Sequence, residues 1–254
     1  INGASSAVGA TTLGNDWLHA EGHIGSKFQE YLVIANFTNT ATNVTVKLEY
    51  DTTTGVPFVQ TSTFAVGPYS QYYFDAKKAA ANCGCGSTDF ASDVSADSNS
   101  IVVERMVYFQ GAKTSKGTIQ GTTDAVGEPG PASHSVYTFA EGFTGTSGFS
   151  TGNFTDYILI QNPTSNAETV VITLFADNTV IQKVITMPPT SRATLVLNDT
   201  IVPIAKAYPT TGNDAYGVST EIQAFHGTDK GTIVVERAEY FNNSGTDILG
   251  YTGN

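Results

Sequence analysis

Charge is what this chain of 254 residues has least of. Charged residues make up 14% of it, against the roughly 25% of an ordinary soluble domain. Lys and Arg total 12 and Asp and Glu 23, for a net charge of −11 with no basic run, so a phosphate backbone or an anionic bilayer would be repelled. Nucleic acid is thereby excluded as a partner. No stretch approaches the ~20 consecutive apolar residues of a spanning helix, so no membrane insertion is expected. A basic start followed by an apolar signal-like centre is also missing, and Ile1 in place of methionine is compatible with a processed, exported chain.

Cysteine is nearly absent too. Cys83 and Cys85, in the run NCGCG, are too few for a four-ligand zinc site, and His19, His23, His134 and His226 show no metal spacing around them. Neither a metal nor a cofactor is expected. An internal disulfide between Cys83 and Cys85 is the favoured reading, since Gly84 relieves the tight ring. Cross-links to a neighbouring chain or free thiols are the alternatives. The sequence carries no HExxH pair, P-loop or dinucleotide fingerprint. A sustained 3.6-residue apolar period is missing as well, so long amphipathic helices are not expected.

What the chain has instead is itself, twice. IVVER occurs at Ile101–Arg105 and again at Ile233–Arg237, each time followed by Tyr-Phe. The match extends outward: DWLHAEG (Asp16–Gly22) with VYTFAEG (Val136–Gly142), FQEYLVIAN (Phe28–Asn36) with FTDYILIQN (Phe154–Asn162), and VTVKLEY (Val44–Tyr50) with VVITLFA (Val170–Ala176). VGPYSQ (Val66–Gln71) pairs with MPPTSR (Met187–Arg192), and DVS (Asp93–Ser95) with GVS (Gly217–Ser219). Such a repeat predicts an N-terminal segment 1–13, a first repeat 14–120, a linker 121–135 and a second repeat 136–254. Each copy reads as strands. Val44, Val46 and Leu48 alternate with polar residues, the other runs are short and β-branched, and turns such as TTTGVP and FADNT separate them. The expected fold is all-β, two tandem sandwiches of broadly Ig-like architecture.

The order AEG, a YLxIxN strand, a Pro-x-Ser-Arg turn, then VVER and Tyr-Phe resembles a tandem repeat of bacterial secreted and cell-surface proteins. The resemblance covers most of both copies. It implies an extracellular or cell-surface setting and a non-enzymatic, array-forming module, and it implies no substrate. The chain departs from the pattern at Gln71, where the second copy has Arg192, and at Phe37, where the second has Pro163.

Only three arginines occur, Arg105, Arg192 and Arg237, all at motif positions. A guanidinium with five donors can tie together carboxylates and carbonyls inside a sandwich, so structural ion pairs are expected among Glu21, Glu104, Arg105, Glu141, Arg192, Glu236 and Arg237. The rival is a glycosidase-like pair of carboxylates, Glu21 with Glu104 or Glu141 with Glu236. An adjacent arginine would depress a carboxyl pKa where acid catalysis needs it raised, so no enzyme is expected.

Other residues stand out less. His19 and His23 lie outside any helical pattern that would make them a metal pair, and Asp97 with Asn99, or Asp124 with Glu128, lack the spacing of a calcium loop. Trp17, Tyr72, Tyr73 or Tyr137 would stack on sugar rings if the chain were an adhesion or carbohydrate-binding module. Asn36, Asn43, Asn153, Asn198 and Asn242 head Asn-x-Ser/Thr triplets. Finally, Ile1, Gly3, Ala7, Val8 and Gly9 align on Ile119, Gly121, Ala125, Val126 and Gly127. This alignment predicts a subunit of an extracellular filament or surface layer, a homopolymer in which the first residues of one molecule dock as a donated strand on the last sandwich of the next.

Overall fold

A computed structural model describes residues 6–50, 58–81, 88–114, 117–130, 134–146, 153–176, 179–200, 216–241, 244–249 and 251–252. Strand accounts for 70% of the structure and helix for 5%, so the fold is all-β with antiparallel sheets. Cys83, Cys85, Ile1, Gly3 and Asn242 lie outside the described residues, as does the side chain of Asn153.

Ten strands come from the first part of the chain: β1 (Asp16–His19), β2 (His23–Ile24), β3 (Phe28–Asn36), β4 (Thr42–Tyr50), β5 (Phe58–Val66), β6 (Ser70–Asp75), β7 (Thr88–Ala96), β8 (Ile101–Thr114), β9 (Gly117–Val126) and β10 (Glu128–Pro129). A short helix, α1 (Ala76–Ala81), follows β6. Sheet I has the order β6-β3-β8-β9 and sheet II the order β10-β1-β7-β4-β5, with β2 beside β7. Alternation places the core between them: Leu32, Ile34, Val44, Val46, Leu48, Val94 and Val103 point inward and are buried.

The second part repeats this plan with β11 (Val136–Phe139), β12 (Phe143–Thr146), β13 (Asn153–Asn162), β14 (Glu168–Ala176), β15 (Thr179–Met187), β16 (Ser191–Val196), β17 (Tyr216–His226), β18 (Asp229–Lys230), β19 (Val234–Phe241), β20 (Ser244–Leu249) and β21 (Tyr251–Thr252). Sheet III is β16-β13-β19-β20, and sheet IV joins β15, β14, β17, β11 and β21 in that order. Strand β12 pairs with both β13 and β17 and links the two.

Register corrects the sequence alignment at one place. Val46 lies opposite Val94 and Ile172 opposite Ile222, so DVS corresponds to Glu221–Gln223, and GVS falls four positions earlier. An even slip keeps every side chain on its own face, which is why apolar alternation could not detect it.

The boundary of the first repeat is corrected as well. Residues 121–129, expected as linker, are strands of the first half: β9 completes sheet I against β8, and β10 completes sheet II against β1. Their counterparts are β20 and β21, because Val126 and Leu249 lie opposite the equivalent Glu104 and Glu236. The position that a donated strand would take on the second half is therefore held by the chain's own β20 and β21. The described residues of the proposed assembly segment lie on their own first half. The Ala7 N–H donates to Asp124 at 3.1 Å, Ala10 packs against the first core, and Val8 is exposed.

One motif residue explains two loops at once. Asn36 ends β3, and its side-chain N–H groups donate to the carbonyls of Thr40, Val66 and Gly67, while its carbonyl accepts from Thr38. Asn162 does the same with Asn166, Met187, Pro188 and Thr164. The loop each one braces turns through a residue at positive φ, Tyr69 (45°) and Thr190 (47°), a conformation that needs such support. An amide so committed is closed to glycosylation in the folded chain. Asn36→Ala strands buried carbonyls, and equilibrium urea unfolding should show a loss of about 2–3 kcal/mol.

Candidate functional site

Sheet II and sheet III pack outer face to outer face, and the polar contents of that junction are the best candidate for a site. Leu18 and Ala20 from the first half form one buried cluster with Leu159, Val234 and Ala238 from the second. The halves therefore share a core and are not beads on a string. The same junction buries Glu49, which the period-2 pattern assigns to a solvent face; its Oε2 accepts from Gln161 Nε2 at 3.0 Å.

At one end of the junction sits Arg105, with 0% exposure. β8 alternates, so Val103 and Arg105 point into the first half while Glu104 points out. The guanidinium Nη1 donates to the carbonyl of Glu21 at 2.6 Å and to Glu236 Oε2, across the junction, at 2.7 Å. Nη2 lies 3.3 Å from the Glu21 carboxylate. The other oxygen of Glu236 accepts the Ala20 N–H at 3.0 Å, and Arg192 Nε donates to the Ala20 carbonyl at 3.2 Å. One peptide segment of the first half is thus held from both sides by the second. Arg192 Nη1 also stands 3.7 Å from Asp89, whose other oxygen bonds His23.

The AEG motif now has a physical reading. Its alanine offers backbone groups to the other half, its glutamate meets the arginine, and its glycine allows close approach. A Cβ on Gly22 would lie 2.9 Å from the Phe90 carbonyl, and one on Gly142 would lie 2.9 Å from that of Val218.

In the second half Arg237 Nη2 donates to Glu141, the equivalent of the Glu21–Arg105 contact. Glu236 does not join Glu141 as the glycosidase reading required, because neighbouring residues of β19 face opposite ways and Glu236 crosses to Arg105. Glu104 is a correction to the expected ion-pair set: it faces outward from sheet I, half-buried, with no ion pair among the described residues. It also stands apart from Glu21, its proposed catalytic companion.

Burial sets the protonation of the cluster. Glu30, whose Oε2 accepts the His23 N–H at 2.9 Å, is driven well above the usual carboxylate range by burial and by the Glu21 charge, against the pull of Arg105. Burial and the Arg105 charge push His19 well below its ordinary value, leaving it a neutral ring beside Ser92. Glu49 is raised by burial to about 7, and its counterpart across the repeat is an apolar residue, Phe175. Asp156, the equivalent of Glu30, rises to about 8 through burial, opposed by Arg237.

A raised acid beside a carboxylate has the ingredients of acid catalysis, but Glu21, Glu30 and Glu236 are buried where a substrate would have to displace protein. Arg192 borders a cavity of ≈ 230 Å³ lined mainly by Ile160, Ile172, Ile185, Met187 and Leu195, an apolar gap between sheets III and IV. Among the described residues no group of three His, Cys, Asp or Glu is arranged to hold a metal ion. Asp97 accepts from Asn43, Asp124 from Ala7, and Glu128 pairs with His134. Trp17 and Tyr137, offered above as sugar platforms, are core residues on β1 and β11, and Tyr72 stacks on Phe64, which leaves Tyr73 as an exposed ring on sheet I.

Glu30, Glu49, Asp89 and Gln161 escaped the sequence reading. Two signals were there. FQEY and FTDY keep an acid at one position in both copies, and Glu49 with Gln161 put polar groups where the other copy has Phe175 and Ala35.

No protein-family model matches the chain, nor does any curated protein sequence. Among solved structures, "Thermotoga maritima 1070" is 12% identical over 47% of this chain and 95% of its own, with a TM-score of 0.32. Squid arrestin is 10% identical over 91% of this chain and 96% of its own, with a TM-score of 0.13. Neither likeness bears on function. No helix among the described residues is long and apolar enough to cross a membrane.

Proposed function

We propose that this protein is a non-enzymatic structural subunit of an extracellular filament or surface layer, its two halves locked into one rigid body. The observation that carries this reading is the use made of arginine. All three guanidiniums are nearly buried, and two of them, Arg105 and Arg192, bond across the junction between halves. Charge spent on rigidity suits a mechanical part, because a buried cation is retained only where its partners are fixed. The low-charge outer surface supports the same reading, since it lets molecules pack closely with little desolvation cost.

Negative-stain electron microscopy of the concentrated chain tests it. Filaments or sheets are expected, and they should persist after residues 1–8 are deleted, because the strand position those residues were expected to fill is already taken. Two-lobed particles at every concentration would sink the proposal and favour the glycan-binding alternative, for which Tyr73 is the exposed ring to replace.

A further inference from the structure

The junction between halves is heterologous: the outer face of sheet II meets the outer face of sheet III. Duplication means that each half carries both kinds of face. Sheet I is the counterpart of sheet III and sheet IV the counterpart of sheet II, so one face of each kind is left over, that of sheet I bordered at β9 by the chain's own Ala7, which bonds Asp124 opposite Met106. A head-to-tail contact that uses unlike faces does not close on itself as a dimer does; it continues into a ring or an open helix.

We propose that copies of this chain stack by repeating the internal junction between molecules, sheet IV of one copy seated on sheet I of the next. This rests on the structural-subunit reading above and supplies its joint. Most leftover positions fit that role, with Leu18 replaced by the exposed Thr138 on sheet IV as the exception. Leu159, Val234 and Ala238, buried in the internal junction, correspond by register to Val33, Val102 and Met106 on sheet I. These three are apolar as well, yet only half-buried in the single chain. The polar pair Glu49–Gln161 corresponds to Phe175 and Ala35, so a hydrogen bond inside the molecule becomes an apolar contact between molecules. Phe175 is 44% exposed on β14 and Val180, opposite it on β15, is 61% exposed, so the apolar contact has two side chains to offer.

The charges complete the fit. Inside the molecule Arg105 Nη1 takes Glu236 from the other half. In Arg237, the counterpart of Arg105, Nη1 and Nε are buried donors with no hydrogen-bond partner among the described residues. Glu104, the counterpart of Glu236, faces outward on sheet I without an ion pair among the described residues. A second copy docked in the same geometry brings its Glu104 toward Arg237, whose Nη1 is closed off beside Asp156 in the single chain and has to be uncovered for the two to meet.

The test combines a variant with a cross-link. Glu104→Arg places a cation opposite Arg237 while changing only a half-exposed side chain. Sedimentation velocity should show association weakened at least tenfold, with an unchanged melting curve by circular dichroism. In the parent chain, benzoylphenylalanine at position 175 should photo-cross-link a second copy on β3 or β8, near Val33, Ala35 or Val102, as read by mass spectrometry. Polymers that form with Glu104→Arg as readily as without it, or cross-links that land elsewhere, would overturn this joint and leave the structural-subunit reading standing. A chain that stays monomeric throughout would remove both.

Discussion

Replacing Arg105 by methionine should cost about 3–5 kcal/mol, a large share of the roughly 5–15 kcal/mol that holds a folded protein together. The side chain is fully buried, so nothing from solvent replaces it when it goes. Left behind are the carboxylates of Glu21 and Glu236 and the Glu21 carbonyl, all of which face the vacated guanidinium. Arg237→Met should cost far less, because the side chain of its partner Glu141 is 69% exposed and can be hydrated instead. Urea titrations followed by circular dichroism would compare the two. A loss below about 1 kcal/mol for Arg105→Met would contradict the structural role assigned to the cluster. The pair Arg105→Met with Glu236→Leu should recover part of the loss, since removing both partners leaves fewer stranded charges.

Stability should also fall steadily between about pH 4.5 and pH 8. Glu49 and Asp156 have folded pKa values raised above those of the unfolded chain, to about 7 and about 8. Glu30 is raised as well, chiefly by burial. For an acid of this kind the folded state keeps its proton while the unfolded state has already released it. The stability it contributes is complete below the unfolded pKa and is lost as pH rises through the folded one. For Glu49 the rise from 4.5 to about 7, at ~1.4 kcal/mol per pH unit, corresponds to about 3 kcal/mol. Asp89, lowered by His23 and Arg192 against the effect of burial, acts in the opposite sense and loses its contribution on acidification, which places the optimum near pH 5. Differential scanning calorimetry from pH 4 to pH 9 would show it. Glu49→Gln keeps an oxygen facing Gln161 and should raise stability by roughly 2–3 kcal/mol at pH 8 with little change at pH 4. A melting temperature that climbs with pH across this range would refute the assignment.

The sequence carried the architecture further than it carried the site. The repeated runs and the alternation of Val44, Val46 and Leu48 are local signals, and strands form where they occur. Pairing Glu21 with Arg105 and Glu141 with Arg237 also follows from motifs kept in both copies. Glu236 was legible as a partner for arginine but not as a partner for the arginine of the other repeat, because a sequence compared with itself treats equivalent residues as having equivalent neighbours. Packing one copy on the other breaks that equivalence. The breakage shows in the sequence only as pairs such as Glu49 with Phe175 and Ala35 with Gln161, where two copies of one strand have diverged in polarity. Residues 121–129 were misjudged because Gly121, Asp124, Gly127 and Pro129 are weak strand signals, and pairing with β8 and β1 overrides local preference there.

The reach of Arg105 to Glu236 has a consequence in time. The two residues are 131 positions apart. On a ribosome the first half, with sheets I and II already complete, would emerge well before Glu236, the second carboxylate that its interior arginine meets besides Glu21. Until β19 arrives, that arginine has reason to stay hydrated, and the first half to stay loosened around it. Maturation of both halves should therefore coincide late in synthesis, as one cooperative event set by a single long-range contact.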